Sequence, residues 1–116
     1  MIDLPPHIKE KLNDLQIYQQ QGEMIVAQRV NIETELYKVD EALATLQVSA
    51  DNVQVFKRCG DIYFTSNKKT LLKEMLDRRE LLDLKLKTIT NQENRIRVRF
   101  TQLQEQLKKL LLNQNT

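Results

Sequence analysis

The chain has 116 residues, 29% charged and 41% hydrophobic, which is enough apolar material to fold and short enough for one domain. Aromatics make up 5%, Trp is absent, and Gly and Pro number two each, so rod-like helical structure is expected rather than a globule with many turns. A formal charge of +2 is too small to argue for a nucleic-acid footprint, no apolar run approaches the ~20 residues of a membrane span, and a single Cys excludes an internal disulfide.

The opening residues carry neither a basic stretch nor an apolar core, so no signal peptide is expected and a cytoplasmic protein is. Pro5 and Pro6 suit a first helical turn, with Asp3 or Leu4 as the cap. A helix is predicted over 5–47. Its apolar positions follow a 4–3 spacing: Leu15, Tyr18, Gly22, Ile25, Arg29, Ile32, Leu36, Val39, Leu43 and Leu46, interrupted only by Gly22 and Arg29.

The pattern then changes. Asp51-Asn52 signals a turn, and two β-branched and aromatic runs flank Arg58-Cys59-Gly60-Asp61, which predicts a β-hairpin over 53–65 with Gly60 at positive φ. Ser66 or Asn67 can cap a second helix. That helix is predicted over 68–112, with the stripe Leu72, Met75, Arg79, Leu82, Leu86, Ile89, Glu93, Ile96, Phe100, Leu103, Leu107 and Leu110. Helices of this kind need a partner to bury the stripe. Folding back at the hairpin sets Leu46 near Leu72, Leu36 near Leu82 and Leu15 near Leu103. The expected fold class is therefore mainly α: one domain over 1–116, a long antiparallel two-helix coiled coil with a short β-hairpin at the bend.

Two surfaces stand out. An isolated hairpin is marginal in water and has two open edges. With Val53, Val55, Phe56, Gly60, Ile62, Tyr63 and Phe64 it is too apolar for a free loop, so hairpins from several chains are expected to join into a larger sheet or barrel. At the other end, Leu110, Leu111 and Leu112 cover about 200° of helix and cannot all face one partner. The fold-back places them with Leu107 beside Ile2, Leu4, Ile8 and Leu12, about 60 Å from the hairpin. The residues alone leave two readings of that surplus open: an interaction surface, or last turns that simply seal the tip of the coiled coil.

Other residues read more plainly. Arg29 and Glu93 fall in neighbouring layers; packed stems with charged ends in water are favoured over an interhelical ion pair. Arg95, Arg97 and Arg99 are spread around the helix as a solvated face. His7 and Cys59 lack partners at metal-ligand spacing. No phosphate loop or nucleophile motif is present. No catalytic, cofactor or metal site is expected, and an enzyme is the least expected class.

Leu4-Pro5-Pro6 followed by Ile8, Leu12, Leu15 and Gln19-Gln20-Gln21, then Val55-Phe56-Lys57, Gly60, Ile62-Tyr63-Phe64 and a second helical arm, together resemble the β class of the archaeal prefoldin family over essentially the whole chain. One hairpin rather than two points to that class. The resemblance implies a hexamer of two α and four β subunits, its hairpins forming a double β-barrel from which six arms extend. It implies capture of unfolded polypeptides without ATP and delivery to a group II chaperonin. The leucine-rich arm ends then become the client-binding tips, and the hairpin becomes the oligomerisation site. The alternative is a structural or filament-forming scaffold of prefoldin-like type; a nucleic-acid accessory protein is a distant third.

Overall fold

Two consecutive prolines decide where the first helix begins. A residue before proline is disfavoured in the helical region, so Pro5 is held outside. Pro6 takes the first helical position, where a missing N–H costs nothing. The computed structural model describes residues 4–114 and places helix α1 at Pro6–Val48. The Pro5 carbonyl accepts from the N–H groups of Ile8 and Lys9, each at 3.1 Å. Pro5 is thus the cap rather than Leu4, and Asp3 lies outside the described residues.

After α1 come strands β1 (Gln54–Cys59) and β2 (Ile62–Asn67), then helix α2 (Lys68–Gln114). The fold class is the expected one: two long helices joined through a two-stranded antiparallel hairpin. At the end of α1, Ser49 Oγ donates to the Thr45 carbonyl at 2.7 Å, and Lys68 Nζ donates to the Ser49 carbonyl at 2.6 Å. A cation at a helix C-terminus meets the negative end of the helix dipole and an otherwise orphaned carbonyl. The Val53 N–H donates to the Ala50 carbonyl at 3.1 Å, closing the turn over Asp51 and Asn52. Asn67 is the cap of α2: its Oδ1 accepts from the Thr70 N–H at 2.8 Å.

The chain divides into two compact parts, Asn31–Lys87 and Met1–Val30 with Thr88–Thr116. Within the first, Val39, Leu43 and Leu82 form the core, packed against Ile32, Leu36, Leu72 and Met75. Arg79 donates to Asp40 across this helix pair and reaches Asp83 on its own helix at 3.4 Å. Within the second part, Ile8, Ile89, Leu103 and Leu107 are buried. There, Lys11 Nζ donates to Gln106 Oε1 at 3.0 Å, in the fold-back register that the stripes predict. Every residue of both stripes is buried or half-buried. Ile8, seven residues before Leu15, extends the same heptad position. Each fully buried Leu or Ile contributes about 1.5–3 kcal/mol by leaving water.

Candidate functional site

The hairpin is tighter than the four-residue link its sequence suggests. Cys59 pairs directly with Ile62, leaving Gly60 and Asp61 as a two-residue loop, and Gly60 has φ +62°. Positive φ at the first loop position is the pattern of a type II′ turn, whose twist matches that of the flanking strands. Arg58 Nε donates to the Gly60 carbonyl at 2.9 Å. The pairing also extends further than expected, to Asn67, while Val53 stands before β1.

Directly paired residues share a face of the sheet. Val55, Cys59, Ile62 and Phe64 therefore lie on one face with Lys57, while Phe56 and Tyr63 lie on the other with Arg58. Val55 is half-buried, but Phe56, Ile62, Tyr63 and Phe64 are between 54% and 63% exposed. Both faces are thus apolar and open, and the sheet of two strands has two unpaired edges. Lys57 Nζ donates to Glu74 Oε2 at 3.0 Å, tying β1 to α2, and this bond holds the lysine proton above its ordinary range.

At the far end of α2, the three consecutive leucines separate as helix geometry requires. Leu110 is half-buried, Leu111 is 39% exposed and Leu112 is 57% exposed. Leu111 and Leu112 line a groove of about 400 Å³ with Leu15, Gln104, Leu107 and Lys108. Leu4 and Leu12 are half-buried, whereas Ile8 and Leu107 are buried and build the seam itself. Ile2 lies outside the described residues.

One reading that the residues did not favour holds, and one feature was not foreseen. Arg29 and Glu93 form a direct ion pair at 2.6 Å, with 28% and 24% of their side chains exposed, in place of separate solvated ends. A second groove, of about 430 Å³, is lined by Tyr18, Gly22, Val26, Ile96 and Phe100 among others. Its signal in the sequence is Gly22, a missing side chain in the middle of the stripe.

Among the described residues no helix is long and apolar enough to cross a membrane. The architecture is that of a known assembly component. The crystal structure of the prefoldin beta subunit from Thermococcus strain KS-1 superposes with a TM-score of 0.86 at 26% identity, covering 96% of this chain and 97% of that one. A family model described as prefoldin subunit matches residues 9–114. The prefoldin beta subunit of Methanothrix thermoacetophila is 43% identical over 109 residues, 94% of this chain and 91% of the relative. That of Archaeoglobus fulgidus is 33% identical over 111 residues, 96% of each. The chain belongs to the prefoldin subunit family. It is accordingly a chaperone subunit of prefoldin type that assembles with other prefoldin subunits.

Proposed function

We propose that the chain is a β-class subunit of a cytoplasmic, non-enzymatic holdase that captures unfolded polypeptides at its arm ends without ATP and passes them to a group II chaperonin. In this reading the arm and hairpin form one functional domain. Hairpins of two α and four β subunits close into a barrel body, since joining strand edges removes the open backbone groups that an isolated hairpin exposes. The client-binding residues are Leu4, Leu12, Leu110, Leu111 and Leu112, with Ile8 and Leu107 beneath them; Ile2 belongs to the same set by sequence.

The observation that supports this most is the exposure of Leu111 and Leu112 beyond what the helix pair buries. Apolar surface left open in this way favours contact with apolar segments that folded proteins hide. Several arms acting on one client raise a weak contact to a useful hold through effective concentration.

The test is Leu111→Ser with Leu112→Ser in the assembled oligomer, measured by light scattering as a denatured test protein is diluted into ATP-free buffer. The double variant is expected to assemble normally and to suppress aggregation less well at matched concentration. Undiminished protection by a normally assembled variant would place the client site elsewhere.

A further inference from the structure

Lys68 is the first residue of α2, and its side chain is only 12% exposed, so an ammonium group sits at the root of the hairpin largely out of water. Burying a cation is unfavourable unless acceptors meet it. Two do: Nζ donates to the Ser49 carbonyl at 2.6 Å and to Asp51 Oδ1 at 3.4 Å. The charge does not serve its own helix. A helix N-terminus carries the positive end of the dipole and favours anions, yet the first turn of α2 has no acidic residue. The lysine serves α1 instead, because Ser49 directly follows Val48, the last residue of α1, where orphaned carbonyls and the negative end of the dipole lie.

Ser49 and Lys68 also bracket the whole excursion of the chain into the hairpin. Between them the Val53 N–H donates to the Ala50 carbonyl, and Gln54 pairs with Asn67. The corner from Ser49 to Val53 is thus gathered on one ammonium group by a carbonyl at its start and a carboxylate at its middle. A second fastening lies along β1, where Lys57 Nζ meets Glu74 Oε2 of α2 at 3.0 Å. Both of its side chains are far more exposed than that of Lys68, so water screens this pair and it holds less strongly. One fastening at the root and one along the strand define a direction. All of these residues lie in the Asn31–Lys87 part of the chain.

We propose that Lys68 is a positioning residue that sets the direction in which the hairpin leaves the helix pair, with Lys57 and Glu74 as the weaker second fastening, so that a free chain presents its hairpin already aligned for assembly. A hairpin on unrestrained links would sample many directions, and each contact between subunits would have to order it; a prealigned element avoids that cost. The consequence for assembly rests on the hairpin-contact reading above, whereas the fixing of direction does not.

The first test uses the isolated full chain. Cys59 ends β1, is exposed and is the one cysteine of the sequence. A spin label there and a second at Asp77→Cys on α2 report the hairpin's direction as a distance distribution by pulsed electron resonance, with labelled chain diluted into unlabelled chain. The parent is expected to give a narrow distribution, Lys68→Met a clearly wider one, and Lys68→Arg, which restores a donor cation, one close to the parent's. Lys57→Met is expected to widen it less. The helical signal is expected to match the parent in every variant. An unchanged distribution in Lys68→Met would overturn the proposal, and so would a loss of helical signal in that variant, which would make the lysine a stabilising cap and nothing more.

The second test is the mass of the assembled oligomer over a dilution series. Lys68→Met is expected to dissociate at about tenfold higher concentration than the parent, and Lys68→Arg to restore the parent's behaviour. If Lys68→Met assembles like the parent while Ile62→Lys with Phe64→Lys dissociates, alignment for assembly is refuted and the hairpin contact stands. If neither variant dissociates, the hairpin-contact reading fails as well.

Discussion

Arg29 Nε donates to Glu93 Oε2 at 2.6 Å across the two helices, with about a quarter of each side chain still in contact with water. The pair replaces two apolar stripe positions, so it holds the register of the coiled coil at some cost in stability. Removing either partner takes from the other, half-buried and charged, its contact across the two helices. Arg29→Leu or Glu93→Leu alone is expected to cost about 1–2 kcal/mol, below the fully buried range because of the residual exposure. The double substitution is expected to recover most of that loss. Urea unfolding followed by helical signal, at one protein concentration for all variants, checks both statements. Additive single losses in the double variant would show that the two groups do not depend on each other.

The φ of +62° at Gly60 makes a second expectation quantitative. A Cβ added there meets nothing within 4 Å, so any penalty is purely one of backbone conformation. Gly60→Val is expected to cost about 1–2 kcal/mol, whereas Gly60→Asn, a residue that visits this region more readily, costs less. Comparing the melting temperatures of the two variants decides it. Equal values would mean that the loop had changed to a turn without positive φ.

Ile62 and Phe64 share one open face of the hairpin and are 61% and 54% exposed. If that face carries the contact between subunits, Ile62→Lys with Phe64→Lys is expected to yield smaller species while the helical signal stays near that of the parent. The core of Val39, Leu43 and Leu82 does not depend on either residue. Light scattering coupled to size separation gives the mass directly. An oligomer of unchanged mass would move the assembly contact off this face.

The helices, the hairpin, the cap at Asn67 and the positive φ of Gly60 were all legible in the residues. Each depends on local chemistry or on a period that repeats along the chain. The exposure of Leu111 and Leu112 was legible for the same reason, since three adjacent residues cannot share one helix face. A linear pattern specifies how far each residue lies from the seam. It does not specify which flank of the seam the residue joins, or whether two charged ends meet.

Those points were settled only by packing. Antiparallel pairing brought Arg29 within reach of Glu93, turned the space beside Gly22 into a groove against Ile96 and Phe100, and sank Ile8 into the seam below its more exposed neighbours. That arrangement depends on the rotation of each helix about its own axis, and only contact with the other helix sets that rotation.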